Sequence, residues 1–316
     1  MYLDLEGNRV READVLARVK SLAIPPAWDD VWICPLANGH IQATGVDSRG
    51  RRQYRYHDRW RERRDAEKFE HMITFARALP AIRNAAARDL AGDEMTRARV
   101  LACAVRLLDV GFFRIGTEGY AEENETFGLA TIHKKHASIV GDEVVFDYVA
   151  KNSQRRIQSV VDPDVRDVVA ALKARRGGGS ELLAYRDGRR WRDVKSTDIN
   201  AYLKEVSGEE ISAKDFRTWR ATVLAAIAFA VSRWVPTERG RKRAVARTMK
   251  EVAHYLGNTP AVCRASYVDT RLIDNYLSGT TITVALDRAA DDLPAIESAV
   301  IELLAGNEAD DVEEAA

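Results

Sequence analysis

The 316-residue chain is 46% hydrophobic and 30% charged, a composition that can bury a core and that excludes collagen, a disulfide scaffold and wholesale disorder. Lys+Arg and Asp+Glu both total 48, so the zero net charge by itself points to no polyanionic partner, but the charges are unevenly placed. Three scattered cysteines (Cys34, Cys103, Cys263) and a first segment, Met1 to Val10, with no apolar signal stretch predict a reducing, cytoplasmic location.

Leu22 to Gln42 reads as a small β-rich unit, with Val31–Pro35, an Asn38-Gly39 hairpin turn and then His40–Thr44. Arg49 to Arg64 follows, holding eight arginines against Asp58 and Glu62 and interleaved with Tyr54, Tyr56 and Trp60. Such a stretch suits phosphate contacts combined with aromatic stacking, or is simply a solvated helix face. A helical pattern from Asp58 to Leu79 is punctuated by Pro80, where a domain boundary is expected, giving an N-terminal domain of residues 1–80 and a second domain of 81–306.

Thr96 to Val110 repeats apolar residues at helical spacing, with Gly111 as its C-cap. Leu129–Ile132, Ala137–Val140 and Val144–Val149 change to strand period, and Lys151-Asn152-Ser153 forms a turn tip before Arg156-Ile157-Gln158. Asp162-Pro163 caps a helix start rather than forming a magnesium-binding D-x-D. His133 and His136 lie between strands without a cysteine partner and predict no zinc. Further helices are expected at about 197–206, 214–234, 241–256, 260–278 and 294–305. Arg239 to Lys250 adds six bases and no acid. From Asp287 on, ten acids face the single base Arg288, and residues 307–316 are expected to form a disordered acidic tail. The whole reads as an α+β protein: a small β-rich N-terminal domain, then a larger, mainly α-helical domain containing a small antiparallel sheet.

No Walker-type phosphate loop is present, so neither ATP nor a metal nor another cofactor is called for. Leu256-Gly257-Asn258-Thr259-Pro260 ends one helix and starts the next, holding Asn258 in a tight corner with Tyr267 two turns into the second helix. Alone, Tyr267 reads as an ordinary half-buried helix tyrosine. Arg217, near the start of the most apolar helix, points either at an anion or at a neighbouring acid.

Six segments in order resemble the type IB DNA topoisomerases of the small, poxvirus-like and bacterial kind: Gly50–Tyr56, Phe112–Gly116, Tyr120–Leu129, Val149–Lys151, Lys214–Trp219 and Gly257–Tyr267. The resemblance implies a tyrosine-recombinase-like catalytic domain that relaxes supercoiled double-stranded DNA through a transient 3′-phosphotyrosyl link, without ATP or metal. It implies Tyr267 as nucleophile, Arg114 and Arg217 as a phosphate clamp and Lys151 as general acid. Asn258, where many relatives carry His, becomes a neutral hydrogen-bond donor. Gln53, Tyr54, Tyr56, Tyr120 and Lys214 become DNA-contacting residues, and the expected form is a monomer at the nucleoid with no obligatory protein partner and no membrane. Two rivals share the constellation or the fold: a tyrosine site-specific recombinase and a non-catalytic DNA-binding protein. The intact set Arg114, Lys151, Arg217 and Tyr267 weighs against the second.

Overall fold

The structure is a computed structural model that describes residues 2–4, 6–48, 50–232, 235–288 and 291–313. Arg49, counted in the first basic run, the Tyr120 side chain, the side chains of 307–313 and all of 314–316 lie outside the described residues. The chain forms two compact units, Met1–Glu70 and His71–Ala316, against an expected boundary at Pro80.

In the first unit, α1 (Ala13–Ser21) precedes an antiparallel sheet of β1 (Asp29–Ile33), β2 (Ile41–Val46) and β3 (Arg52–Tyr56), in that order. The two expected strands and the turn between them are present. Buried Gln42 closes that turn: its amide donates to the carbonyls of Gly39 at 2.7 Å and Ala37 at 3.1 Å, and its oxygen accepts from Arg18. A buried amide satisfied on both ends fixes a loop that has little apolar surface of its own. The third strand was not anticipated. The Gln53–Tyr56 segment pairs with β2 in the register Gly45↔Gln53 and Thr44↔Tyr54.

Helix α2 (Asp58–Leu90) carries the chain into the second unit and corrects the expected stop at Pro80, which lies inside it. An internal proline removes a hydrogen bond and costs about 3 kcal/mol. Pro80 itself is exposed, while Phe75, Ala76, Leu79, Ile82, Ala85 and Ala86 on both sides are buried. Burial of that continuous apolar face outweighs the loss.

The second unit continues with α3 (Arg97–Gly111), α4 (Glu118–Asn124), a sheet of β4 (Ala137–Val140), β5 (Glu143–Ala150) and β6 (Gln154–Val161), and α5 (Pro163–Ala174). A hairpin of β7 (Ala184–Asp187) and β8 (Arg190–Asp193) leads to α6 (Ser196–Ser207), α7 (Ala213–Ser232) and α8 (Glu238–Leu256). The chain ends with α9 (Pro260–Ser266), α10 (Thr270–Ser278), α11 (Thr283–Arg288) and α12 (Leu293–Glu313), the last running into the acidic segment. Helices α3 and α7 bury residues all round their circumference, as central core helices do. Arg83 of α2 bridges Asp109 of α3 at 2.8 Å and Glu297 of α12 at 2.6 Å, and Trp219 of α7 donates to the same Glu297.

Two expectations in this unit are corrected. Leu129–Thr131 is a 3-10 turn, not a strand, because its amides are taken by the carbonyls of Arg114 and Ile115 at 2.8 and 2.7 Å rather than by a sheet neighbour. The helix expected over 260–278 is broken. Buried Asp269 accepts from the Arg271 amide and starts α10 afresh, so Tyr267 is the C-cap just past the short α9 rather than a mid-helix position.

Candidate active site

The site is organised by the end of α8. Gly257 sits in the left-handed region at φ +62°. The amides of Asn258 and Gly257 reach back to the carbonyls of Ala253 and His254 at 3.0 and 3.2 Å, the double bond of a Schellman stop. Carbonyls at this terminus are also met by three different arginines. Arg156 of β6 donates to His254 and Tyr255 at 3.2 and 2.6 Å, Arg217 of α7 to Leu256 at 2.8 Å, and Arg114 to Gly257 at 3.0 Å. A helix C-terminus carries partial negative charge and unpaired acceptors, so it can gather cations that would otherwise repel one another.

Arg114 also donates to the Asn258 side-chain oxygen. Its own segment is fixed by a contact between glycines: a Cβ on Gly116 would fall 2.7 Å from the Gly128 Cα, and one on Gly128 only 2.5 Å from the Gly116 Cα. That contact joins the Phe112–Gly116 and Tyr120–Leu129 segments into one piece.

Arg217 is 4% exposed and also donates to the carbonyl of Phe112 at 2.5 Å. Burial, with Arg114 nearby, pushes its pKa down to about 10, which leaves it charged at neutral pH. The guanidinium carbon lies 5.4 Å from the centre of the Tyr267 ring. Arg217 Nε and Asn258 Nδ2 are both buried and have no well-formed hydrogen bond among the described residues. Both side chains nevertheless stand close enough to Tyr267 to bias its phenol. Burial alone would raise the Tyr267 pKa. The charge and hydrogen-bonding of Arg217, the charge of Arg114 and the Asn258 amide together hold it below the ordinary phenol value. The Tyr267 backbone is pinned from α7, where the Thr222 hydroxyl donates to its carbonyl at 3.3 Å and accepts from the Asp269 amide at 3.3 Å.

Lys151 lies at the tip of the β5–β6 hairpin, which turns through Asn152 and Ser153 at φ +66° and +56°. Its side chain is exposed and shares an open cleft of about 240 Å³ with Arg114, Gly116, Thr117, Thr126 and Phe127. Arg114, Arg217, Asn258 and Tyr267 therefore share one corner, and Lys151 shares a cleft wall with Arg114.

Of the expected DNA contacts, Lys214 is exposed at the start of α7. In the first unit, Tyr54 and Tyr56 share one face of β3, their rings stacked at 6.0 Å, and Tyr56 stacks on Trp60 at 4.5 Å. Gln53 points to the other face and donates to Asp47 at 3.0 Å. The sequence reading missed Arg156 and Thr222. The alternation Gln154, Arg156, Gln158 on one face of β6 was the available signal for the first. Thr222 carried none, being one small residue in an apolar helix.

A family model described as the catalytic core of eukaryotic DNA topoisomerase I matches residues 57–280, and one described as the N-terminal domain of bacterial DNA topoisomerase IB matches residues 1–47. The chain belongs to the type IB DNA topoisomerase family. It is similar to DNA topoisomerase 1B of Acanthamoeba polyphaga mimivirus, at 29% identity over 87% of this chain and 84% of that one. It is also similar to DNA topoisomerase 1B of Vaccinia virus (strain Copenhagen), at 24% identity over 73% of this chain and 70% of that one. DNA topoisomerase 1 of Schizosaccharomyces pombe matches at 29% identity over half of this chain and 19% of its own length. As a topoisomerase the protein is a DNA-binding isomerase. No described helix is long and apolar enough to cross a membrane.

Proposed function

We propose that the protein relaxes supercoiled double-stranded DNA by a metal- and ATP-independent transesterification, acting as a monomer. The Tyr267 phenolate oxygen attacks the phosphorus of a backbone phosphodiester and forms a 3′-phosphotyrosyl bond. The bond from phosphorus to the 5′ oxygen breaks, and that oxygen takes a proton from the Lys151 ammonium. After the free strand has rotated, the 5′-hydroxyl attacks the phosphotyrosine, returns its proton and restores the backbone. The phosphodiester energy is conserved in the covalent link, so resealing draws on no nucleotide.

Negative charge grows on the two non-bridging oxygens as phosphorus becomes five-coordinate. Arg114 and Arg217 meet it with guanidinium donors, and Asn258 adds a neutral N–H. The observation that carries this reading is a pair of buried donors, Arg217 Nε and Asn258 Nδ2, that make no well-formed hydrogen bond among the described residues, beside a phenol whose pKa is held down. A buried donor without an acceptor costs about 1–3 kcal/mol, and a bound phosphate oxygen would supply the acceptor. Loss of one such donor typically slows chemistry by ~10²–10³-fold, and loss of a general acid by ~10²–10⁴-fold.

In the first unit, Tyr54, Tyr56 and the arginines around them are read as DNA contacts. Arg52, Arg55, Arg59 and Arg61 form no ion pair among the described residues, which leaves their charge for phosphates. Gln53 would have to release Asp47 to read a base edge. Lys214 and Tyr120 complete the proposed contact set.

The test is plasmid relaxation in EDTA without ATP, comparing the native protein with Tyr267→Phe. Relaxation by the native protein alone, with a covalent protein–DNA adduct on its 3′ side, supports the reading. Relaxation by both removes Tyr267 as nucleophile, and relaxation by neither moves the reading to strand exchange or to binding without cleavage.

A further inference from the structure

The hairpin that ends in Lys151 leaves one face to solvent, with Ile157 and Val161 well exposed. The opposite face is anchored twice. Tyr148 lies parallel to Phe113 at 6.2 Å and donates to the side-chain oxygen of Gln158, which lies nearer the base, at 2.7 Å, while the Gln158 amide donates to the carbonyl of Gly111. Nearer the tip than Gln158, Arg156, paired across the ladder with Tyr148, reaches out of the hairpin to the last turn of α8. Only one ladder step, Val149↔Arg155, separates that pair from Ala150↔Gln154, beyond which the turn with Lys151 begins.

The receiving surface is shaped for this guanidinium. A Cβ on Gly257 would lie 2.9 Å from Arg156 Nη1, 3.1 Å from its Cζ and 3.2 Å from its Cδ, so the side chain lies flat on the bare Cα of Gly257. Gly257 adjoins Asn258, and its carbonyl accepts from Arg114. Arg156 is therefore the side chain that binds the arm carrying Lys151 to the corner carrying Asn258, through two charge-assisted bonds to one helix end.

We propose that Arg156 is a positioning residue for the leaving-group proton: by holding β6 on the α8 terminus it sets where Lys151 stands relative to the scissile phosphate. This inference rests on the reading of Lys151 as general acid. The hairpin turns through two residues in the left-handed region, and a tip of that kind needs its arms held to keep one geometry. A misplacement of about 1 Å at a reacting group can cost ~10²-fold in rate.

Leaving-group chemistry provides the test. Single-turnover cleavage is measured on a duplex with an ordinary 5′-bridging oxygen and on one with sulfur in its place, since a thiolate departs without a proton. Arg156→Ala is expected to slow oxygen-substrate cleavage on the order of 10²-fold and to leave sulfur-substrate cleavage near the native rate. Arg156→Lys keeps the charge but cannot fork between two carbonyls, and is expected to show the same substrate-dependent loss in smaller measure, which serves if the alanine variant does not fold. Equal slowing on both substrates, or no slowing on either, overturns the inference. Lys151→Ala is run alongside. If sulfur fails to restore that variant, the general-acid reading itself falls; if sulfur restores Lys151→Ala but not the Arg156 variants, only the Arg156 inference falls.

Discussion

Gly116 and Gly128 meet backbone to backbone, each filling the space a Cβ on the other would need. The contact explains why Arg114, two residues before the first glycine, is as well placed as it is. The peptide that carries it is clamped by the Leu129 and Ala130 amides immediately after the second. Gly116→Ala adds a side chain at φ +73° as well as the overlap. It is expected to destabilise the fold by about 2 kcal/mol or more. Urea unfolding measures this, and a variant as stable as the native chain would show that the two segments can part without cost.

Asn258 offers a neutral donor where a charged one is conceivable. Asn258→Ala removes the amide and is expected to slow single-turnover cleavage by ~10²–10³-fold. Asn258→Asp is nearly isosteric but puts a carboxylate beside the phosphate and against Tyr267, so it is expected to be slower still. A cleavage rate for the aspartate variant above that of the alanine variant would mean that the side chain does not face a non-bridging oxygen.

The depressed Tyr267 pKa has a signed consequence for activity. Its phenolate fraction rises with pH through a value below the ordinary ~10, so cleavage should rise with pH and level off before that point. Arg217 is the largest influence holding the pKa down. In Arg217→Ala the residual rate should therefore still be climbing where the native profile has flattened. Coincident inflections in the two profiles would separate Arg217 from the nucleophile.

Glu297 ties α12 to the rest of the second unit through Arg83 at 2.6 Å and the Trp219 indole at 3.2 Å. Glu297→Ala leaves part of the Arg83 charge and the indole N–H buried without that partner, and should cost about 3 kcal/mol in denaturant unfolding. Neither partner belongs to the Tyr267 corner, so relaxation per folded molecule is expected to stay at the native level. A large loss of rate with unchanged stability would place α12 in the catalytic machinery instead.

The sequence by itself determined whatever local chemistry decides. Asp162 and Thr259 cap the helices they were expected to cap, Gly257 stops α8, and the alternation around Phe146 and Tyr148 makes a strand. It also carried the motifs that resemble the family, because those side chains are separate words in the chain. Pro80 and Leu129–Thr131 misled because each obeys a distant partner. The helix runs through Pro80 on the strength of the core it covers, and the Leu129 amide answers to the Arg114 carbonyl. The candidate site is the extreme case. Arg114, Arg156 and Arg217 come from three separated segments and meet only because one helix end offers them acceptors. Such convergence depends on long-range packing, which no local pattern encodes, so only the tertiary structure decided that Arg156 joins Arg114 and Arg217 at the end of α8.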